Sequence, residues 1–507
     1  MSAESAPAPR LAGSPQLAGI MSRLSASNTA FAKIYAGVPA GIPANVFYCS
    51  GAKFKPELTA KMGDLALAQM RRYAPNWVVF AQAVGLNGAD QLPAKPDEIE
   101  TLVKSGPDMK DPVQRLAFLM HQGTERALQT DPFHMVVANF EDAYIPDVPT
   151  GETADLVEDR DAANSAREMA RGVCEAAQAK ASGRHPYRGL PRKFGVRIKS
   201  FNADTADRGA RTADIFMTAF IEELRARQKE HFRFPTDDFF INLPKVMHVG
   251  QVEEFVELVA ALEEMHGLEP GSIKIELMIE IPQCFIDDKG RNGLVPLIDA
   301  AGSRLVALHL GIYDLTSALG ISSSHQSMDH PFIRRALEDL KFALADRPVW
   351  LSTGHSRVMV KEPHPGRDLT SQQTQENRKH VLDVWREVYI DNISQLRLGI
   401  AMGWDLGPSQ LILRWAANMA FYLEELPVVG RKLKSFVDDG SRPMIAGGVF
   451  ADQANAQGFL NSVLRALHIG ATTEQEVLEL TGLRREELET RSFDKILEMV
   501  RIRKGVT

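Results

Sequence analysis

Eight short apolar runs, spaced by long amphipathic segments, constrain this 507-residue chain more than any other feature. The runs lie at 45–49, 135–140, 195–199, 239–243, 273–279, 305–310, 349–352 and 398–402. Most are rich in Val, Ile, Leu or Phe, and several end in a polar or charged residue, as strands buried on both faces of a parallel sheet do. Between them, 212–229, 252–266 and 376–392 carry apolar residues at helical spacing. Strands alternating with helices imply a parallel sheet with helical crossovers. Eight such strands predict an α/β fold closed as a TIM (β/α)8 barrel. A doubly wound open sheet is the runner-up, because periodicity alone does not separate the two.

Two stretches exceed a minimal barrel. Residues 51–134, between the first two strands, are far longer than a usual βα connection. They hold helical pattern at 56–72 and 112–129, so they read as a helical insertion after strand one. Beyond about 411 the chain reads as several helices, clearest at 472–480 and 484–500. The expected organisation is a leader at 1–16, a catalytic barrel at 17–415 that includes the insertion, and a C-terminal helical extension at 416–507. The leader is rich in Ala, Pro and Ser and lacks the charged and apolar regions of a signal peptide, so it reads as disordered.

At 44% hydrophobic content the chain can bury a large core. A net charge of −7 offers no basic surplus for nucleic acid and no Lys/Arg run for an anionic membrane. No apolar stretch approaches the ~18–20 residues of a membrane span. The three cysteines, Cys49, Cys174 and Cys284, show no C-x-x-C spacing, which fits a reducing cytoplasm. Cys284 lies close in sequence to Glu280, but nothing cationic beside it would lower its pKa.

Barrel enzymes place their chemistry at the C-terminal ends of strands. Here strand two runs into Phe140-Glu141-Asp142-Ala143-Tyr144, strand three carries Val196-Arg197-Ile198-Lys199, and strand four ends Leu243-Pro244-Lys245-Val246. Strand five ends Ile279-Glu280, strand six Gly311-Ile312-Tyr313-Asp314, and strand eight runs into Trp404-Asp405. Carboxylates thus collect at one mouth beside an Arg and a Lys. As hard oxygen ligands they favour Mg²⁺ or Mn²⁺ over Zn²⁺. Glu280 and Asp314 each follow an apolar run and suit that metal. A cation there would polarise a substrate carbonyl, and Arg197 would pair with a carboxylate or enolate oxygen. Each residue also has a plainer role available: Asp314 as a helix cap, Arg197 as a structural ion-pair partner, Lys245 as a loop cation or, in another enzyme class, a Schiff-base amine.

These motifs, in this order over roughly 135–415, resemble the HpcH/HpaI aldolase and citrate lyase β-subunit superfamily, a group of phosphoenolpyruvate/pyruvate-binding TIM barrels related to malate synthase. Phe140-Glu141-Asp142-Ala143-Tyr144 with Asp161 to Arg167 resembles its acidic strand-two motif, Val196-Arg197-Ile198 its arginine strand, and Leu243-Pro244-Lys245-Val246 its Pro-Lys strand end. Glu280, and Gly311 to Leu315 with Gly320, resemble its two metal-ligand motifs. The resemblance implies a TIM barrel, commonly oligomeric, in which Glu280 and Asp314 bind Mg²⁺, Arg197 contacts substrate, and Glu141 and Asp142 orient metal-bound waters or substrate. It departs at Gly407-Pro408-Ser409-Gln410, where the citrate-lyase branch has His-Pro-x-Gln, and no strong coenzyme A signature is present.

The histidine of the aldolase branch has no certain counterpart after strand one or two. His325, Asp329 and His330 lie after strand six, and His355 follows strand seven. His325 and His355 are the candidate bases, since a neutral imidazole suits proton transfer near pH 7. His309, inside a strand pattern, reads as core. His325 and His330 lack a third ligand for zinc. The expected catalytic set is Arg197, Glu141, Asp142, Lys245, His325 and His355, with Arg197, Gly311 and Tyr313 contacting substrate. The reading is a Mg²⁺-dependent C–C lyase or aldolase acting on a 2-oxo acid, a related oxyacid or a coenzyme A thioester of one, as a homo-oligomer with neither nucleic-acid nor membrane partner. Two alternatives remain: a phosphoenolpyruvate-using phosphotransferase, for which Gly447-Gly448 is too short a phosphate loop, and a non-catalytic barrel scaffold.

Overall fold

In a computed structural model of the chain, residues 15–35, 37, 41–183, 188–438, 444–446, 449–451 and 453–505 are described. Eight parallel strands close into a barrel in sequence order. They are β1 Asn45–Ser50, β2 Met135–Asn139, β3 Lys193–Arg197, β4 Phe239–Leu243, β5 Lys274–Ile279, β6 Leu305–Leu310, β7 Trp350–Thr353 and β8 Met402–Trp404. Closure is explicit, because β1 pairs with both β2 and β8. The barrel, not the open sheet, is the fold.

Each strand overlaps an expected apolar run, with two shifts: β3 starts and ends two residues before the run 195–199, and β8 moves further. The run 398–402 yields a strand only from Met402, because the preceding helix Ser371–Arg397 reaches its edge and Gly399 turns the chain at φ +73°. A left-handed glycine at that position ends a helix at little cost, whereas a β-branched residue would be strained.

The expected helical segments form, with longer bounds: Ala206–Gln228, Val249–Met265 and Ser371–Arg397. The stretch after β1 folds into the helices Leu58–Tyr73, Trp77–Val84, Pro96–Ser105 and Pro112–Thr130. Local chemistry sets their ends. Asp111 accepts from the backbone of Val113 and Gln114 at 2.8 and 3.0 Å, with Pro112 in the first turn. Asn76 caps Trp77–Val84 through Val79 N–H, and Gly85 closes it in the left-handed region.

Of these helices, Leu58–Tyr73 and Pro112–Thr130 pack on the long helix Pro408–Asp438. Trp415 from that helix is buried and donates its indole N–H to the Pro132 carbonyl at 2.9 Å, a contact that ties the extension to the insertion just before β2. Burial of one such large side chain contributes about 1.5–3 kcal/mol, so this seam is part of the main core. The boundary expected at 415/416 therefore falls inside a continuous helix. The single helical reading of 484–500 is also corrected. The structure has Arg485–Glu489 and Phe493–Lys504, separated where Arg491 takes φ +53° and Ser492 caps the second helix.

Of the expected leader, residues 1–14 lie outside the described residues, as does Gly447-Gly448; a helix Pro15–Ile34 begins at the leader's end. Among the described residues no helix is long and apolar enough to cross a membrane.

Candidate active site at the barrel mouth

The interior of the barrel carries an unusual polar row. In register, Asn139 of β2 lies beside Arg197 of β3, Arg197 beside Asn242 of β4, and Asn242 beside Glu276 of β5. All four are buried. Glu276 Oε2 accepts from the Tyr48 hydroxyl and from Asn242 Nδ2, both at 2.8 Å. Burial pushes the Glu276 carboxyl up to about 7, against the pull of these two donors and of Arg197. His309 of β6 faces the same centre, with Nδ1 3.4 Å from the Tyr48 hydroxyl, and burial drives its pKa down to about 3. It is the neutral core histidine that its place in a strand suggested.

Period-two alternation along β5 brings Glu276, Met278 and Glu280 to the same side of the strand, with Glu280 just past its C-terminal end. Glu280 is only 2% exposed and accepts the Lys245 backbone N–H at 2.8 Å. Burial, with Asp314 adding repulsion, raises its pKa to about 8 despite Arg197. Space for this acid comes from Gly311: a Cβ there would lie 2.2 Å from Glu280 Oε2.

Arg197 ends β3 and is 1% exposed. Its Nη2 lies 2.8 Å from Glu141, 3.5 Å from Asp142 and 3.6 Å from Glu280. Burial opposes the guanidinium charge, but these carboxylates outweigh it and hold its pKa above the ordinary value. Even so, Nε and Nη2 make no well-aligned hydrogen bond, so buried donors remain at the mouth. The Lys245 ammonium sits 3.4 Å from Glu141, 3.1 Å from Asp142 and 3.4 Å from Asp314. Burial lowers its pKa, but the three carboxylates together raise it above that of a free lysine. Burial raises Glu141. For Asp142, burial is overcome by its hydrogen bond with Glu141 and by Arg197 and Lys245, so its pKa falls.

The structure thus brings Glu141, Asp142, Arg197, Lys245, Glu280 and Asp314 together. One placement differs from expectation. Asp314 does not sit at the end of β6 but in the first turn of the helix Ile312–Ala318, four residues past Leu310. It is 40% exposed in its side chain and reaches Lys245 rather than closing on Glu280.

Other expected residues have different neighbours. The Tyr313 hydroxyl donates to the His355 carbonyl at 2.8 Å, and its ring packs 4.8 Å from the His355 ring, so it braces the segment after β7. His355 lies with Nδ1 3.1 Å from the Ser356 carbonyl and its ring 4.7 Å from Trp404. A carbonyl can only accept, so Nδ1 carries the proton and Nε2 keeps its lone pair. Burial lowers the pKa to about 4 and keeps the ring neutral. His325 is exposed on the turn Ser323–His325, and no hydrogen bond or ion pair among the described residues joins its side chain to the carboxylate cluster. His330 Nδ1 caps the helix Pro331–Leu344. In Gly407-Pro408-Ser409-Gln410 the glutamine braces the loops, donating to the carbonyls of Ser356 and Val358 and accepting from Leu406 N–H. Cys284 donates its thiol to the Val246 carbonyl, and burial pushes it up to about 12, which leaves no thiolate.

Sequence reading missed Tyr48, Asn139, Asn242 and Glu276. The available signal was a polar residue inside an apolar run, as in Ile275-Glu276-Leu277.

The donor set fits a divalent cation. Four carboxylates face two cations, an excess of two negative charges when all are ionised. The donors are hard oxygens, and one of them, Glu280, is desolvated without a full counter-charge. Among the described residues no group of three His, Cys, Asp or Glu closes on one point. Mg²⁺ does not require that, since it is usually held by one or two carboxylates with water and substrate completing the shell.

A sequence-family profile described as "Domain of unknown function (DUF6986)" matches residues 24–496. No curated protein matches the chain. Among solved structures, a citrate lyase from Burkholderia xenovorans LB400 covers 71% of this chain and 92% of its own, at 19% identity and a TM-score of 0.44. A malate synthase from Haloferax volcanii, in complex with magnesium and glyoxylate, covers 90% of this chain and 97% of its own, at 14% identity and a TM-score of 0.39. Likenesses this distant add nothing to the barrel topology, which rests on the strand pairing itself.

Proposed function

The chain belongs to the DUF6986 family, and for this member we propose a Mg²⁺- or Mn²⁺-dependent enzyme that makes or breaks a carbon–carbon bond beside the carbonyl of a 2-oxo acid or related oxyacid. One observation carries the reading. Glu280, buried at the barrel mouth with a pKa of about 8 that Asp314 helps to raise, lies within a cluster whose carboxylates outnumber its cations. A protein that only needed stability would gain by placing an apolar group there.

Glu280 and Asp314 would hold the cation. When bound, it would polarise a substrate carbonyl and offset charge on the carbonyl oxygen. The remaining work falls to side chains. Arg197 presents buried Nε–H and Nη2–H donors to the substrate's carboxylate or carbonyl oxygen, where negative charge grows as the adjacent carbon loses its proton or its carbon substituent. Lys245 favours the charged forms of Glu141 and Asp142 beside Arg197, and those two acids orient the substrate or its waters. His355, neutral and with Nε2 unprotonated, is the base assigned to the proton transfer. Burial of Arg197 and Glu280 strengthens the interactions they make relative to water.

The test follows two separate reactions: cleavage of oxaloacetate to pyruvate and carbon dioxide, and condensation of pyruvate with glyoxylate to 4-hydroxy-2-oxoglutarate. Turnover should depend on Mg²⁺ or Mn²⁺, disappear with a chelator, and be lost in Glu280→Gln and Asp314→Asn with the fold intact by circular dichroism. Thermal unfolding should rise with the metal in the native chain and not in these variants. Metal-independent turnover, or full activity in both variants, would sink the proposal.

A further inference from the structure

We infer that Tyr48 is a positioning residue for Arg197. It acts from one layer below the mouth and is anchored by Glu276 and Asn242. The inference rests on the reading that Arg197 receives the substrate's anionic oxygens.

The Arg197 guanidinium carbon lies 5.9 Å from the Tyr48 ring centroid, within cation–π range. On its mouth side the guanidinium meets Glu141, Asp142 and Glu280, but without well-aligned hydrogen bonds from Nε or Nη2. The carboxylates therefore attract the group without fixing its plane. The ring beneath supplies a surface that does.

Tyr48 is itself held on several sides. Its hydroxyl donates to Glu276 Oε2 at 2.8 Å, and Asn242 Nδ2 donates to the same oxygen. Its ring packs 4.5 Å from Trp404 and 5.6 Å, edge-on, from His309. Register explains why the device is built this way. Arg197, Asn242 and Glu276 are neighbours across β3, β4 and β5, so the anchor and the anchored group belong to one rigid layer of the barrel. A fully buried Glu with one oxygen lacking a hydrogen-bond partner is costly, and an apolar side chain would fill the space at less cost. Glu276 returns orientation instead, by fixing where the Tyr48 ring stands. Groups whose own side chains are locked in this way hold a reacting centre to within about half an ångström.

The experiment is a double-mutant cycle read by calorimetric binding of oxalate, a mimic of a 2-oxo acid's paired oxygens, at saturating Mg²⁺. Tyr48→Leu should weaken oxalate about tenfold, while Tyr48→Phe, which keeps the ring face, should lose about threefold or less. In an Arg197→Lys background, Tyr48→Leu should cost less than about twofold, because lysine has no plane to align. An equal loss from Tyr48→Leu in both backgrounds would show a packing effect alone and overturn the inference. So would no loss in the native background. Should Tyr48→Leu fail to fold, Tyr48→Phe in both backgrounds gives the same comparison on a smaller scale. Failure of the native chain to bind oxalate with Mg²⁺ would overturn the metal-site reading and this inference with it, whereas tight binding with additive losses would overturn the inference only.

Discussion

Lys245 donates its backbone N–H to Glu280 at 2.8 Å while its ammonium reaches Glu141, Asp142 and Asp314, so one residue clamps an acid with its main chain and three others with its side chain. It does so at φ +51°, a left-handed conformation that costs a non-glycine residue on the order of 1–3 kcal/mol. The strain accompanies two opposed demands at the end of β4: the N–H must turn toward β5 while the side chain extends over the mouth.

Removal of the ammonium should make the site more dependent on a metal. In Lys245→Met, four carboxylates would face Arg197 alone. Without divalent cation the melting temperature should fall by several degrees, and added Mg²⁺ should raise it by more than in the native chain. Equal Mg²⁺ shifts in both proteins would show that Lys245 and the cation do not share the cluster.

Stability in chelator should fall as pH rises. The Glu280 carboxyl binds its proton more tightly in the folded chain, at about 8, than the ordinary 4.5. Its contribution is therefore full below about pH 4.5 and is lost as pH climbs through 8. Glu276 acts in the same direction up to about 7. Melting temperature should decline between about pH 7 and about pH 8.5, above the range in which the buried histidines His309 and His355 oppose it, and Glu280→Gln should flatten that decline. Mg²⁺ binding requires the ionised acid, so metal affinity should rise over the same interval. A melting temperature that rises toward pH 8 in chelator would contradict the burial of Glu280.

Gly311→Ala should disturb the acid without touching its charge. A Cβ at 311 would lie 2.2 Å from Glu280 Oε2 and 2.4 Å from Glu280 Cβ. Overpacking of this kind costs about 1–3 kcal/mol in a rigid core. Urea denaturation should show that loss, and the Mg²⁺-dependent thermal shift should shrink or vanish. An unchanged shift would mean that Glu280 can move aside freely.

The end of β8 carries a separate structural pair. Arg414 Nη2 lies 3.0 Å from Asp405, with Nε 3.1 and 3.2 Å from its two oxygens, and both residues are buried. Arg414→Met leaves the Asp405 carboxylate alone and should cost about 3–5 kcal/mol by denaturant unfolding. Asp405→Leu with Arg414→Met should cost markedly less than the single change. Equal losses would assign the effect to lost arginine packing rather than to the stranded charge.

The barrel was legible because parallel strands buried on both faces are apolar over most of their length, and eight such runs stand out as Phe239–Leu243 and Leu305–Leu310 do. The strand-end acids were legible for a related reason: Glu280 follows Ile279 directly, and a charge that ends an apolar strand emerges at the barrel rim. Asp314 was placed less well, because nothing local distinguishes a strand end from the first turn of a short helix after Gly311.

Sequence by itself determined the elements, their order and which residues arrive at the mouth, since period and polarity along one segment decide which face it buries. Tertiary structure alone decided the contacts between segments far apart in the chain. Tyr48 meets Glu276 across 228 residues, and Lys245 meets Asp142 across 103. Gly311 makes room for an acid on the neighbouring strand. His325 and His355 have similar loop settings in sequence, yet only His355 packs against Tyr313 and Trp404 at the barrel end. Barrel closure and register fix these pairings, and no local pattern encodes the distance between two strands that meet only when the sheet closes.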